Sequence, residues 1–251
     1  MSTSKTKAQE RADRAAKALA EARRKERRRN LLTGVGVGLV IVLIVVAGFV
    51  LNMVGDDSDQ VAEQAAEAGS TEFGLTIGPD DAPHTVVIYE DFLCPICGEL
   101  EAAASDGLTA AAAAGAVQVD YRPIVILDRF GPYSGDAANA FFVVRDEAGE
   151  EVAKTFHDLL YEDQPSESGP FPDTDWLVEK AVEAGADEDA VRPGIEAGDA
   201  EQTYQDATDE AVAAGVTGTP TVLLDGEVFR EGSSMADMGQ RLVDAVSDDT
   251  E

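Results

Sequence analysis

Thr85-Val86-Val87-Ile88-Tyr89-Glu90-Asp91-Phe92-Leu93-Cys94-Pro95-Ile96-Cys97-Gly98-Glu99-Leu100-Glu101 is the stretch that decides the fold. Residues 85–89 read as a buried strand, and Gly98 to Ala104 has the composition of a helix. Pro95 suits the first helical position, where its missing N–H is no loss. The two cysteines of the chain therefore sit three residues apart where a strand gives way to a helix. Two thiols so placed can close into a small disulfide ring and reopen. The unpaired N–H groups of the helix start favour a thiolate on the first of them. Strand, CxxC, helix is a redox pattern.

Two blander readings compete. A purely structural bridge is disfavoured, because stabilising disulfides usually close longer loops than this one. A zinc site needs four ligands. The nitrogen donors here are His84 and His157, ten residues before Cys94 and sixty after Cys97, and no finger or ribbon has that spacing. No metal and no cofactor is expected.

Residues 1–30 carry eleven Lys/Arg and four Asp/Glu, ending in Arg23-Arg24-Lys25-Glu26-Arg27-Arg28-Arg29. Leu31 to Leu51 is uncharged and rich in Val, Leu, Ile and Gly, and after it no Lys or Arg appears before Arg122. About twenty such residues cross a bilayer core. The positive-inside rule places the N-terminus in the cytoplasm and everything after about residue 55 outside. The expected plan is a basic cytoplasmic segment at 1–30, a transmembrane helix at 31–54 and an acidic linker at 55–72. A globular domain then fills 73–246, with a short tail at 247–251. A cleaved signal peptide ending near Ala66-Glu67-Ala68 is the competitor, but its apolar region would be shorter.

Residues 31–251 hold 45 acidic and 8 basic groups. Such a balance repels phosphate and argues against nucleic acid as a partner. The basic N-terminal segment suits anionic lipid headgroups. The acidic surface reads as solubility or adaptation to a salty medium, with attraction of cationic unfolded substrates as the functional alternative.

Along the domain, strands are predicted at 73–77 and 85–90, the CxxC helix to about 114, and another strand ending at Arg122-Pro123. Helical periodicity then runs from Ser134 to Ala214, broken near 146–149, 162–173, 184–187 and 198–200. Thr221-Val222-Leu223-Leu224 and Glu227-Val228-Phe229 flank Asp225-Gly226, a strong two-residue hairpin signal. A last helix covers about Met235–Val246. Trp176 reads as core at a helix start, and His157 as a helix-surface or packing residue.

Phe92-Leu93-Cys94-Pro95-Ile96-Cys97 after a strand, with Gly215-Val216-Thr217-Gly218-Thr219-Pro220 before a hairpin, resembles the DsbA-type thiol–disulfide oxidoreductases of the thioredoxin superfamily. The resemblance implies an α/β, thioredoxin-like fold with an inserted helical subdomain at about 134–214. With the apolar N-terminal stretch, the fold class is such a domain preceded by one transmembrane helix. It also implies a cis bond at Thr219-Pro220 lying beside Cys94, with the Thr219 backbone pairing with extended substrate. Cys94 should be the exposed, attacked sulfur and Cys97 the buried partner. Pro95 and Ile96 tune the couple, and where DsbA carries a histidine this chain has Ile96, which gives the thiolate no such help. Many relatives place a buried acid six residues before the first cysteine. Ile88 stands there, so Glu90 and Asp91 are the candidate proton relays, or else exposed strand-end carboxylates.

Outside the membrane the compartment favours disulfides, so the default expectation is an extracytoplasmic oxidase that donates disulfides to exported unfolded proteins, as a monomer and with no bound cofactor. With no third cysteine it depends on an outside oxidant, a quinone-linked membrane protein of the DsbB or vitamin K epoxide reductase type. A membrane-tethered reductase, and a redox-silent thioredoxin-like module that binds peptides as a chaperone, are the alternatives.

Overall fold

The computed structural model describes residues 73–247. The basic segment, the spanning helix and the linker expected from the sequence lie outside the described residues, as does the tail from 248. Among the described residues no helix is long and apolar enough to cross a membrane.

Five strands form one sheet: β1 (Leu75–Ile77), β2 (His84–Glu90), β3 (Val117–Pro123), β4 (Thr221–Leu224) and β5 (Glu227–Val228). Their order is β1-β3-β2-β4-β5, with β2 and β3 parallel and every other pair antiparallel. A parallel pair needs a crossover. Helix α1 (Pro95–Ala113) supplies it, and so delivers the cysteines to the end of a central strand. β1 is shorter than predicted because its pairing with β3 starts at Leu75. Asp225 and Gly226, with φ of 53° and 81°, make the tight turn between β4 and β5 that the Asp-Gly pair called for.

Between β3 and β4 the chain builds five helices: α2 (Tyr133–Ala148), α3 (Glu150–Glu162), α4 (Thr174–Glu183), α5 (Glu188–Ala197) and α6 (Glu201–Ala213). Their ends fall at the breaks the periodicity marked. Gly149 separates α2 from α3 at a φ of 88°, and the Asp173 side chain caps α4 by accepting from Trp176 N–H. Trp176 is half-buried and packs against the core from the start of α4, with Tyr133 as a neighbour.

Helix α1 buries Cys97, Leu100, Glu101, Ala104 and Leu108 along one stripe. Each fully buried leucine contributes about 1.5–3 kcal/mol. The last helix, α7 (Met235–Ser247), lies against α1. Gly239 permits that approach, since a Cβ there would stand 2.9 Å from the Ala103 methyl. Phe92, just past the end of β2, meets Phe141 of α2 at 5.6 Å and Tyr161 of α3 at 5.3 Å between ring centroids. Sheet and insert thus share one continuous apolar core.

Candidate active site

The turn between β2 and α1 is held from below by Asp91. Its carboxylate accepts from Leu93 N–H at 2.9 Å, Ile126 N–H at 2.9 Å, Leu127 N–H at 3.1 Å and Ser134 Oγ at 2.7 Å. Its carbonyl accepts from Cys94 N–H at 2.8 Å. Burial raises the Asp91 pKa, and these donors oppose the rise. Asp91 and Glu90 are both fully buried, not exposed strand-end carboxylates. β2 is a central strand, and the loop after β3 roofs its end.

Cys94 is the N-cap residue of α1, in extended conformation, with Pro95 beginning the helix. The predicted exposure fails for the sulfur itself: Cys94 is 5 % exposed, while Pro95 and Ile96 face solvent. Thr219 provides the cover, its carbonyl lying 3.4 Å from Cys94 Sγ across 125 residues of sequence. The Thr219–Pro220 bond is cis and stands beside Cys94, as the resemblance implied.

The two sulfurs differ in proton affinity. The Cys94 pKa is lowered to about 7, chiefly by the Cys97 thiol, against the effect of burial and with help from Thr219 and the N–H groups of Cys97 and Ile96. Cys94 points its S–H at the Thr219 carbonyl. Cys97 is fully buried, and burial first, then the neighbouring sulfur, push its pKa well above the usual value. Both are free thiols in this structure.

Beneath Cys97 lies a buried polar cluster. His157 Nε2 is 2.6 Å from Glu90 Oε1, both side chains fully buried. His157 Nδ1 is 3.0 Å from Asp158 Oδ1, and Lys154 Nζ is 2.6 Å from the same oxygen. Burial disfavours charge on His157, but Glu90 and Asp158 outweigh it and raise its pKa to about 10. Burial, reinforced by Glu90, raises Glu101 to about 8. Tyr121 and Tyr161 flank the imidazole at 4.7 and 5.1 Å between ring centroids. His157 is therefore not a surface residue; it packs among aromatic rings and is at the same time the basic partner of a buried pair. Glu90, Glu101 and His157 have ligand atoms within 4.8 Å of one another. The His157–Glu90 pair uses one Glu90 oxygen, while the second Glu90 oxygen and both Glu101 oxygens are buried without a hydrogen-bond partner among the described residues.

One further group touches the turn. Gln164, just past α3, donates from Nε2 to the carbonyls of Phe92 and Cys94, each at 2.9 Å. Sequence reading missed Gln164, Glu101 and the role of His157. For the last two a signal existed: Glu101 falls one turn after Cys97 on the buried stripe of α1, and His157 lies beside Phe156 and Leu160 on that of α3.

The thioredoxin family model matches residues 70–245. Among solved structures, the oxidised DsbA of Mycobacterium tuberculosis is 31% identical over 70% of this chain and 91% of that one, with a TM-score of 0.59. The reduced disulfide oxidoreductase DsbG of the same organism is 29% identical over 74% and 98%, with a TM-score of 0.60. MdbA of Corynebacterium diphtheriae, at 24% identity and a TM-score of 0.61, shares the fold. No curated protein matches the chain. With the Cys94–Cys97 pair at the head of α1 and Thr219–Pro220 beside it, the chain belongs to the thioredoxin family and carries the fold of a DsbA-like thiol–disulfide oxidoreductase.

Proposed function

We propose that this domain is an extracytoplasmic dithiol oxidase, tethered by the apolar segment 31–54, that donates the Cys94–Cys97 disulfide to exported, unfolded proteins. The observation that carries the reading is the placement of the two sulfurs: Cys94 at the head of the helix beside the cis Thr219–Pro220 bond, Cys97 fully buried one turn on. A substrate thiolate attacks Cys94 Sγ, the Cys94–Cys97 bond breaks, and Cys97 leaves as a thiolate that its surroundings drive to take a proton. A second substrate thiolate then attacks the substrate's own sulfur in the mixed disulfide. Cys94 departs as the better leaving group, and two electrons remain on the enzyme. A quinone-linked membrane partner of the DsbB or vitamin K epoxide reductase type takes them up again.

The Thr219 backbone, next to Cys94 Sγ, receives the extended substrate, and Pro220 shapes that strand entry. Glu90, with His157 behind it, is the route by which Cys97 gains its proton. Asp91 stands beside that route but has both carboxylate oxygens occupied by donors, which makes it the bracket of the turn. Pro95 and Ile96 set the potential from the exposed side.

One observation favours a second reading, that of a reductase. A Cys94 pKa of about 7 matches thioredoxin's attacking cysteine more than DsbA's, which sits near 3.5. The reduction potential of the pair decides, measured on the full chain in glutathione buffers with alkylation of the free thiols. A value above about −200 mV supports donation, and one near thioredoxin's, about −270 mV, reverses the direction. Thiols that never cycle would leave only a peptide-binding module. A reporter active outside the cytoplasm, fused after Glu251, checks the topology, and reporter activity on the cytoplasmic side would overturn it.

A further inference from the structure

Gly98 occupies the first turn of α1 with no positive φ to require it, so a glycine there weakens the helix relative to alanine without serving the backbone. What it serves is space. A Cβ at Gly98 would stand 2.6 Å from Gln164 Oε1 and 3.2 Å from its Cδ. The Gln164 amide lies flat against the helix start, and its two N–H bonds reach the Phe92 and Cys94 carbonyls that bracket the reactive residue. Gln164 is itself fixed. Its N–H bonds the Tyr161 carbonyl at 3.3 Å, and the adjacent Asp163 pairs with Lys180 of α4 at 2.6 Å.

We infer that Gln164 is a positioning residue for the reactive sulfur, a clamp by which the helical insert sets the reactivity of Cys94. It acts through the Cys94 backbone. The same carbonyl that receives Nε2 also receives Gly98 N–H at 3.1 Å, the bond that closes the first turn of α1. Holding that carbonyl keeps Cys94 at the extended φ and ψ of −76° and 113°, in which its sulfur faces the N–H groups of Ile96 and Cys97. The amide hydrogens also offset the negative ends of two carbonyl dipoles flanking the sulfur, which favours an anion there. The inference deepens the oxidoreductase reading and rests on it, yet its first readout, the ionisation of Cys94, needs no turnover.

The test is a double-mutant cycle on the full chain with Gln164→Ala, Gly98→Ala and both together. Cys94 ionisation is followed by thiolate absorbance and by alkylation rate against pH, and the disulfide equilibrium by exchange with glutathione. Gln164→Ala is expected to raise the Cys94 pKa by about half a unit, about threefold in the thiolate-to-thiol ratio, and to make the couple less oxidising. Gly98→Ala, which drives the amide off, is expected to give the same shift. The double variant should match Gln164→Ala alone, because the two act on one contact. A structural role alone would lower stability and leave the pKa where it was. An unchanged pKa in Gln164→Ala overturns the clamp, and shifts that add in the double variant overturn the shared contact. Should Gln164→Ala fail to fold, Gly98→Ala in the native background answers alone, because a pKa it leaves unmoved overturns the clamp. Absence of any exchange in the unaltered chain would instead sink the oxidoreductase reading, with the pKa comparison still legible.

Discussion

The turn around Cys94 and the cluster beneath Cys97 handle charge at one helix end in opposite ways. At the Cys94 sulfur the groups that chiefly lower the pKa to about 7 are uncharged: a thiol, a threonine and two backbone N–H groups. Below, the chain brings whole charges together, with His157 against Glu90 in the dry interior and Lys154 against the half-exposed Asp158 at its edge. Dipoles act where an anion must come and go with each cycle. Ion pairs act where charge must stay put. A buried pair is weak evidence of net stability but is costly to break on one side.

The comparison breaks most completely at the sulfurs. Cys94→Ser should abolish thiol oxidation, whereas Cys97→Ala should accumulate mixed disulfides with substrates, seen as adducts on non-reducing gels. Adducts on the Cys94 variant and none on the Cys97 variant would exchange the roles of the two regions.

Next comes the cluster. His157→Ala leaves Glu90 buried without its partner and should lower unfolding stability by about 3–5 kcal/mol, read by denaturant titration, with the Cys94 pKa hardly moved. The pH dependence carries the same information. The folded His157 pKa of about 10 exceeds the ordinary 6.5, so its stabilisation is whole below about 6.5 and is lost as pH rises through 10. Glu101, raised from 4.5 to about 8, keeps its proton in the fold where the unfolded chain has released it. Stability therefore falls as pH rises from 4.5 to 8 and then levels off for that group. The melting temperature should decline from about pH 5 to about pH 9, and Glu101→Gln should flatten the lower half of that slope. A native profile that rises across this range would remove the ionisation states assigned to the cluster.

The smallest effect sharpens the exposed side. Ile96→His places a titratable cation beside the helix start, 40 % exposed and screened by solvent. It should lower the Cys94 pKa by less than one unit and make the couple more oxidising. An unchanged potential would mean the position-96 side chain does not reach the sulfur.

Most of the architecture was legible in the sequence because periodicity and turn chemistry act locally. The five helices of the insert end where the pattern breaks, and Asp225-Gly226 turns as that pair turns elsewhere. The CxxC pair and Thr219-Pro220 were legible as motifs. Burial of Glu90 and Asp91 was not, since a carboxylate at a strand end gives no sign that a loop 35 residues on will fold over it. Glu101 and His157 sat on apolar stripes in plain view, but charged residue types hid that they were part of the core. Gln164 lies in an irregular segment, and its partners are carbonyls 70 and 72 residues away, so no local pattern could disclose it.

The sheet meets the insert as a single connection, residues 124–220, between β3 and β4. By polymer statistics, closing a loop of that length in place of a six-residue one costs about 2.5 kcal/mol of chain entropy, since each doubling adds only about 0.6. Burying Phe141 and Phe156, at about 1.5–3 kcal/mol each, offsets that in the core the insert shares with the sheet. Longer turns between the insert's helices cost the fold little, but the helix faces that carry Phe141, His157 and Ser134 are tied to the strand ends and cannot be reshaped without disturbing them. Gln164, in the irregular stretch between α3 and α4, is held to the reactive turn by its own two bonds, so a change of length there would be felt at Cys94.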